Sequence, residues 1–384
     1  MRAVKLTHYV KGPQELQATT EPTPQPSPNQ YLIRIRAAGT NFFDLLQIQG
    51  KYQHQPPLPH YTGAEFAGIV LATPTQSGGT GSKVVSSNDG TINAQTSHQF
   101  KVGDRVFGQG MGAYATHILA PESNLFPIPE GWSFEDAAGL YVTMPTAYGG
   151  LIVRGQLQSN EWCLIHAGAG GVGLSAVMVA KAVGATVIAT AGTERKRQTC
   201  LDYGADYVID YGQKNWPQQV IEICAKNRTG NGKAGVDVVY DPVGMCTFPL
   251  LLDRNIRLTP FAGMIDPSIK CITWNGRLVV IGFAGGNIEK LALNRVLLKN
   301  ISVTGLHWGR YAVMENETLH STWKGIFEMI NKGQIRGITY TDKQYVGLDS
   351  LPAALTALGG RDTWGKVAIT IPEDEEDRAS KSKL

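Results

Sequence analysis

The chain has 384 residues, of which 42% are hydrophobic and 17% charged, and its 35 lysines and arginines nearly balance 32 aspartates and glutamates. This length exceeds the ~250–300 residues at which one hydrophobic core stops growing, so we expect two globular domains. The balanced, scattered charge lacks the basic surface that nucleic-acid binding requires, which excludes that class of partner.

The N-terminal segment "MRAVKLTHYVKG" lacks the long apolar core of a secretory signal peptide. No apolar run in the sequence approaches the ~20 residues that a membrane-spanning helix needs. We therefore expect an intracellular protein without a membrane span.

Four segments in the first third of the chain have the pattern of short strands ended by Gly, Pro or polar clusters. They are "YLIRIRAAG", "EFAGIVLA", "KVGDRVFG" and "AYATHILA". This pattern predicts an all-β, barrel-like domain. Residues 74–100 are rich in Gly, Ser, Thr and Asn, which indicates a surface loop, with a lid over a functional site as the alternative.

From about Glu161 the pattern changes to apolar strands that alternate with helical segments, as in "EWCLIHA", "GAGGVGLSAVMVAKAVG" and "ATVIATA". This alternation predicts an α/β domain with a doubly wound parallel sheet. Near the end, a helical segment "LHSTWKGIFEMINKG" and a strand "VAITI" predict a return to the first domain. The predicted organisation is a first domain of residues 1–145 and 307–371, a second of 146–306, and a flexible tail of 372–384.

The five cysteines are too widely spaced for a C-x-x-C metal or redox pair. We expect them to be buried free thiols. They are Cys163, Cys200, Cys224, Cys246 and Cys271.

Gly168, Gly170 and Gly173 form the pattern G-x-G-x-x-G between the apolar strand "WCLIH" and the helical segment "LSAVMVAKAV". In this context the pattern indicates a dinucleotide-binding turn. The first glycine makes the tight turn, the second lets the backbone approach a pyrophosphate, and the third lets helix and strand touch. The N–H groups at the start of the helix then face the anion.

The end of the next strand bears on the choice of dinucleotide, because an NAD site places an acidic residue there to bind the ribose hydroxyls. This chain has Thr190 and Ala191 at that place, and Glu194 follows at the expected start of the next helix. Three cations, residues 195–197, come next and suit a 2′-phosphate. The sequence thus favours NADPH, and a solvated basic helix start is the alternative.

Several segments together carry a family resemblance: "RAAGTNFFD", "TGAEFAG", "KVGDRVFG", "HAGAGGVGLSAV", "GVDVVYDPVG" and "GRLVVIGFAGG". From Met1 to Ile371 the chain resembles the medium-chain dehydrogenase/reductase superfamily, and within it the zinc-free quinone oxidoreductases of the zeta-crystallin type. The resemblance implies a GroES-like, β-barrel-type catalytic domain and a Rossmann domain with a doubly wound parallel sheet.

The positions that bind catalytic zinc in the related alcohol dehydrogenases correspond here to Asn41, Ala64 and about Val142. The four-cysteine structural zinc loop is also missing from the sequence. Because a catalytic zinc needs about three protein ligands, we predict an enzyme without a metal.

The resemblance also implies the site residues. Asn41, Tyr52 and Thr146 are the predicted catalytic residues. The predicted cofactor-binding residues are Gly168, Gly170, Gly171, Val172, Gly173, Thr193, Arg195, Lys196, Tyr211, Phe283, Ala284 and Arg361.

Within this set the resemblance places Lys196 and Tyr211 at the 2′-phosphate of NADPH. Phe283 and Ala284 are placed along the nicotinamide, and Arg361 at the phosphates. Lys366 matches a recurrent lysine of the C-terminal segment, without a defined role.

A reduced nicotinamide carries the hydride, so the protein needs only to position it and to stabilise the developing oxyanion or enolate. Asn41 and Thr146 polarise a carbonyl without supplying a proton, which we expect to come from water. The first hypothesis is an NADPH-dependent reductase of quinones. The alternatives are a reductase of α,β-unsaturated carbonyl compounds or enoyl thioesters, and an NADPH-binding module without turnover.

The resembling enzymes pair through edge strands of their nucleotide-binding sheets, and "GRLVVIGF" with "ISVTGL" offers such strands here, so we predict a homodimer. Beyond Ile371, Pro372 stops the strand and "EDEED" is too charged to bury, so we expect the tail to extend into solvent. Ser382, Lys383 and Leu384 form the C-terminal triplet S-K-L, an address read by the peroxisomal import receptor. We predict a peroxisomal protein, alone or shared with the cytosol; a chance triplet is the alternative.

Overall fold

Alternating and continuous apolar runs of the sequence form strands in the computed structural model, which describes residues 1–74, 99–228, 234–244, 263–285 and 288–376. Within these ranges the strands are β1 (Arg2–Leu6), β2 (Ala18–Thr20), β3 (Gln30–Gly39), β4 (His60–Tyr61), β5 (Glu65–Ala72), β6 (Arg105–Gln109), β7 (His117–Pro121), β8 (Leu125–Pro127), β9 (Trp162–Ile165), β10 (Thr186–Thr190), β11 (Tyr207–Ile209), β12 (Val236–Asp241), β13 (Ile272–Val280), β14 (Ser302–Gly305), β15 (Tyr345–Val346) and β16 (Ala368–Thr370).

The α-helices of the same ranges are α1 (Phe42–Ile48), α2 (Phe134–Ala138), α3 (Leu140–Tyr148), α4 (Gly171–Val183), α5 (Glu194–Asp202), α6 (Trp216–Asn227), α7 (Ile265–Cys271), α8 (Leu293–Lys299), α9 (Tyr311–Met314), α10 (Asn316–Asn331) and α11 (Leu351–Gly359). Short 3-10 helices lie at Pro13–Glu15, Glu122–Asn124, Trp308–Arg310 and Leu348–Ser350, and a π-helix at Gly149–Arg154. No helix in these ranges is long and apolar enough to cross a bilayer.

The first unit comprises Met1–Tyr141, Thr341–Asp362 and the segment that begins at Val367. Its larger sheet has the order β15-β16-β3-β5-β6-β8, and β7 also pairs with β3. Side chains along β3 alternate between buried and partly exposed, which is the pattern of an antiparallel sheet with one covered face. The predicted GroES-like sheet domain is confirmed.

The second unit comprises Val142–Tyr340 and Thr363–Lys366. Its six strands are parallel and follow the order β11-β10-β9-β12-β13-β14. Numbered along the chain, this is the 3-2-1-4-5-6 order of a Rossmann fold, in which the strand order reverses between β9 and β12. The predicted doubly wound sheet is therefore confirmed.

The strands at this reversal are apolar because both of their faces are covered. Every residue of β9 and of β12 is buried, and Leu164 and Val239 are fully enclosed. Burial of such a side chain contributes about 1.5–3 kcal/mol, so these strands add substantially to the stability of this unit. A rigid sheet centre holds the following loops in place.

The structure corrects the domain boundary predicted at residue 307, because the second unit continues to Tyr340. The reason is the packing of α10, which buries Trp323, Ile326 and Ile330 at helical spacing. The backbone of α10 also approaches α3: a Cβ added at Gly325 would lie 2.3 Å from the Tyr148 hydroxyl oxygen. The lower boundary lies at Val142 rather than at residue 146.

The tail predicted for residues 372–384 is wrong for its first five residues. Glu375 is 1% exposed, and Glu373 and Glu376 also have polar partners in the first unit. These acidic groups pair with cations and hydroxyls of β1, β3 and the segment before β7, so their charge does not force them into solvent. Residues 377–384, which include Ser382, Lys383 and Leu384, lie outside the described ranges.

Two further predictions concern residues outside the described ranges. Of the residues assigned to the surface insertion, 75–98 lie outside them, and so does Cys246. The other four cysteines are free and buried, as predicted.

Candidate functional site

The loop between β9 and α4 has the geometry that its glycines predict. The N–H of Gly168 donates to the Thr190 carbonyl at 2.9 Å, which places the turn against the end of β10. A Cβ added at Gly168 would lie 2.7 Å from the Ala189 Cβ, and one at Gly173 would lie 2.2 Å from the Ala167 carbonyl oxygen. Only glycine fits at either position.

The second glycine leaves the approach to α4 open. A Cβ added at Gly170 would meet only the Ala167 carbonyl oxygen, at 3.3 Å, so the space beside this residue is otherwise open. Gly170 is the N-cap, and the first turn includes Gly171, Val172 and Gly173 without an acidic residue. The N–H groups of this turn have no acceptor within the helix and favour an anion. This cradle therefore fits a pyrophosphate.

A segment from the end of the chain joins this turn. The N–H of Gly365 donates to the Ala169 carbonyl at 2.7 Å, and Gly365 forms a parallel bridge with Gly170. The buried side chain of Lys366 passes close to Gly171, whose added Cβ would lie 3.6 Å from its Cδ. Sequence reasoning gave Lys366 no defined role and overlooked Gly365; the only signal was the "WGK" run near the C-terminus.

At the end of β10, the predicted 2′-phosphate residues come together. The hydroxyl of Thr193 caps α5 by accepting from the Lys196 N–H. The Tyr211 ring lies against Gly192, the residue before Thr193. A Cβ added at Gly192 would be 2.8 Å from the Tyr211 hydroxyl oxygen. Thr193, Lys196 and Tyr211 thus share one edge of the sheet.

The acidic residue near this edge is engaged elsewhere. Glu194 is exposed and forms an ion pair with Arg197 at 2.7 Å, and Arg197 also approaches Asp210 at 3.4 Å. Strand β10 ends at Thr190, and neither Thr190 nor the following Ala191 is acidic. This arrangement is the one expected of a site for a 2′-phosphate rather than for two ribose hydroxyls.

The loops after β12 and β13 lie at the same carboxyl edge. The N–H of Ala284 donates to the Pro242 carbonyl at 3.3 Å. The partly exposed ring of Phe283 packs on Gly244, which has a φ of +66° and no room for a side chain. Asp241 fixes this second loop by accepting from the Val243 and Gly244 N–H groups. Phe283 and Ala284 therefore lie beside the reversal point of the sheet, where ligands of such folds bind.

Thr146 lies on α3 in the second unit. Its hydroxyl donates to the Val142 carbonyl at 2.6 Å, which commits the proton and leaves the oxygen as an acceptor. The Tyr240 hydroxyl donates to the Thr146 carbonyl at 3.4 Å. Thr146 therefore acts in this geometry as an acceptor rather than as a proton donor.

In the first unit, Asn41 begins α1 and is buried. Its Nδ2 donates to Glu65 Oε1 at 2.9 Å, and its backbone N–H donates to Asp44 Oδ2 at 2.7 Å. The Tyr114 hydroxyl donates to the same Asp44 oxygen. The contact with Glu65 fixes the orientation of the Asn41 amide.

Tyr52 is half-buried and its ring stacks on Phe43, with 5.4 Å between ring centroids. Burial raises the pKa of the Tyr52 phenol, and the negative charge of Asp44 raises it further. The phenol is therefore neutral at physiological pH. Arg361, also in the first unit, is exposed after α11 with a φ of +59°.

The predicted site residues are thus divided between the two units. Asn41, Tyr52 and Arg361 belong to the first, and the other predicted residues belong to the second. The described ranges contain no group of three or more His, Cys, Asp or Glu side chains arranged to hold a metal ion.

Two domain families match the chain: the alcohol dehydrogenase GroES-like domain at residues 27–130 and the zinc-binding dehydrogenase domain at residues 171–331. Quinone oxidoreductase-like protein 2 of Mus musculus is 31% identical over 354 residues, which cover 91% of this chain and 88% of the relative. Quinone oxidoreductase of Pseudomonas aeruginosa is 32% identical over 362 residues, covering 93% and 96%. The crystal structure of Escherichia coli quinone oxidoreductase complexed with NADPH superposes with a TM-score of 0.75 at 27% identity, covering 96% of this chain and all of that one.

Proposed function

The chain belongs to the zinc-free quinone oxidoreductase branch of the medium-chain dehydrogenase/reductase superfamily, and from this membership we propose that it is an NADPH-dependent reductase of quinones. The single observation that carries the proposal is the turn from Gly168 to Gly173. It has no room for side chains at its ends and is open before α4, as a dinucleotide requires.

The residues at the end of β10 support NADPH over NADH. Lys196 and Tyr211 lie where the adenosine ribose ends in such folds, and Glu194 is paired with Arg197. The relative of known structure from Escherichia coli binds NADPH, which agrees with this assignment. A dianionic 2′-phosphate needs a cation and hydrogen-bond donors, and this edge supplies both.

When bound, NADPH supplies the hydride, and the protein's own side chains orient the acceptor and stabilise the developing negative charge. The Asn41 amide, oriented by Glu65, would polarise the carbonyl oxygen of the substrate. Tyr52, held neutral by its raised pKa, offers a hydroxyl. Thr146 would accept a hydrogen bond from bound NADPH, because its own proton is given to the Val142 carbonyl.

The completing proton comes from water in this mechanism. Neither Asn41 nor Thr146 titrates near neutral pH, and burial places the pKa of Tyr52 above its usual value of ~10. Reduction of a quinone tolerates this arrangement, because its oxyanion product is protonated readily in solution. Reduction of an enal or enoyl thioester uses the same hydride geometry and is the second candidate function.

The test follows NADPH consumption with a panel of quinones, enals and enoyl thioesters. Quinone turnover that exceeds the others in kcat/KM supports the first assignment. Faster turnover of enals or enoyl thioesters selects the second candidate. Tight NADPH binding without turnover of any class indicates a binding module and overturns the proposal.

We also propose that the protein is a homodimer in which the β14 edges meet. Within the described sheet, β14 is an end strand, and Val303 on it is 40% exposed. The neighbouring helix α8 exposes Leu293, Leu297 and Leu298 by 73–77%. An open strand edge beside exposed leucines is the composition of an interface rather than of a free surface. Light scattering at micromolar concentration should give twice the chain mass of 41.5 kDa, and a monomer contradicts the proposal.

The location that we propose is the peroxisome, because Ser382, Lys383 and Leu384 form an S-K-L terminus. The acidic segment up to Glu376 is attached to the first unit, so eight residues follow the last attached position. Peroxisomal oxidation of fatty acids generates unsaturated thioesters, which would bring the second candidate substrate class to the enzyme.

A further inference from the structure

The three cations at the start of α5 have different surroundings. Arg197 is held by Glu194 and Asp210, as described above. The backbone N–H of Lys196 donates to the Thr193 hydroxyl that caps α5. Arg195 instead places its guanidinium carbon over the indole ring of Trp364, 5.4 Å from the ring centroid. Arg195 therefore has an aromatic ring beside its charge.

The ring of Trp364 is itself fixed. It is 7% exposed and packs edge-to-face with Tyr340, at 5.7 Å between centroids and an interplanar angle of 72°. A second ring, Tyr203, lies 6.4 Å away, and its hydroxyl donates to the Gly337 carbonyl. The indole is thus a rigid surface.

The backbone after Trp364 is tied to the dinucleotide turn. Gly365 donates to the Ala169 carbonyl and has a φ of +60°, and a Cβ there would lie 2.2 Å from the Ile338 carbonyl oxygen. The same short segment therefore contacts both the phosphate turn and the cation at the ribose edge. Its position sets the distance between these two parts of the site.

The chemistry of arginine makes this contact compatible with phosphate binding. A guanidinium is planar and carries all of its N–H donors in that plane, and the ring contact of Arg195 is recorded at its central carbon. Aromatic contact fixes the cation, and its in-plane donors match the oxygens of a phosphate. NADH has a hydroxyl at this position and gains little from a fixed cation.

We infer that Trp364 is a positioning residue that holds Arg195 for the 2′-phosphate and so contributes to selectivity for NADPH over NADH. This inference rests on the proposed use of NADPH. The resemblance assigned the phosphate contact of the C-terminal segment to Arg361, three residues earlier, and gave no role to Trp364.

The experiment measures KM and kcat for NADPH and NADH in Trp364→Leu, Trp364→Phe and Arg195→Leu. A cation–aromatic contact at a partly exposed site is worth about two- to fivefold in affinity, so Trp364→Leu should raise the KM for NADPH by about that factor. The kcat with either cofactor and the KM for NADH should not change. Trp364→Phe, which keeps an aromatic ring, should retain most of the wild-type selectivity for NADPH. Trp274→Leu removes an exposed tryptophan near the start of β13 and serves as the matched control.

A double variant separates positioning from packing. If Trp364 acts through Arg195, Trp364→Leu adds no further loss of NADPH selectivity to Arg195→Leu. Equal weakening of NADPH and NADH by Trp364→Leu overturns the inference, because the ring then only packs. Full selectivity in Trp364→Leu also overturns it. A wild-type protein that does not prefer NADPH contradicts the proposed cofactor itself, which is a separate outcome.

Discussion

Arg2 and Glu375, near opposite ends of the chain, form a buried ion pair with 2.5 Å between Nη1 and Oε1. The second terminal nitrogen of Arg2 binds Asp349 at 2.7 Å. The same Glu375 oxygen accepts the Leu348 N–H at 3.0 Å. The pair thus connects β1, the turn before α11 and the segment after β16.

Removal of one charge from this pair should destabilise the first unit strongly. Glu375→Gln leaves the Arg2 guanidinium without its buried carboxylate partner, and loss of one member of a buried pair costs about 3–5 kcal/mol. Denaturant unfolding of the variant should show this loss in the free energy of unfolding. The control is Asp349→Asn, which removes an exposed partner of the same arginine and should cost less than about 1 kcal/mol. Equal effects of the two variants would contradict the account.

The C-terminal triplet can be tested separately from this anchor. A fluorescent protein fused to the N-terminus of the intact chain should give a punctate peroxisomal signal in eukaryotic cells, and removal of Leu384 should make it diffuse. A Glu375→Gln version that stays punctate shows that the address does not depend on the ion pair. A diffuse signal from the intact chain shows that the triplet is not an address.

His166 should make the second unit sensitive to acid. It is fully buried after β9, with Nδ1 3.1 Å from the Thr190 hydroxyl and Nε2 2.8 Å from the Ser268 hydroxyl. Ser268 gives its own proton to the Met264 carbonyl, so it accepts from Nε2, and Nδ1 accepts from Thr190. This pattern requires a neutral ring. Burial lowers the pKa of His166 accordingly, although the charge of Asp241 opposes the shift.

The sign of the pH dependence follows from this lowered pKa. As the pH falls below the ~6.5 of an unfolded histidine, the unfolded chain binds the proton first, and stability is lost by up to about 1.4 kcal/mol per pH unit until the folded pKa is reached. His166→Gln should be less stable at neutral pH but should have a flatter profile of unfolding free energy between about pH 7 and pH 5. His8→Gln, at an exposed position, is the control. Parallel profiles for wild type and His166→Gln would refute this account.

Lys196→Ala should weaken the binding of NADPH selectively. A charge-assisted contact to the 2′-phosphate is worth about 1.5–3 kcal/mol, which corresponds to a loss of roughly ten- to a hundredfold in affinity. NADH binding should change little, and Lys226→Ala on α6 should affect neither cofactor. Calorimetric titration measures the affinities for both cofactors. Equal weakening of the two cofactors would show that the lysine does not contact the phosphate.

The glycine turn could be predicted from the sequence because the contacts that require glycine are local. Gly168 and Gly173 exclude side chains through contacts within one strand-turn-helix unit, and apolar runs on either side identify that unit. The order of the sheet follows from the same local repeats and from the family resemblance. These parts of the fold were predicted correctly.

Features that depend on distant partners were not predictable in this way. Glu375 belongs to an acidic run that looks solvated until Arg2, 373 positions away, is placed beside it. Helix α10 has an apolar face that any neighbour could cover, and tertiary contacts such as its approach to Tyr148 assign it to the second unit. Trp364 looks like one aromatic residue among many until the chain returns to the glycine turn. In each case the missing information is a tertiary contact.

The most direct test of the central claim is the rate of NADPH oxidation by a quinone, measured with protein that has been dialysed against a chelator and analysed for metal. Asn41, Ala64 and Val142 offer no zinc ligands at the positions where zinc dehydrogenases have them, so the account predicts turnover unchanged by chelation, with NADPH preferred over NADH. Turnover that disappears with stoichiometric zinc and returns when zinc is restored, or a preference for NADH, would contradict it.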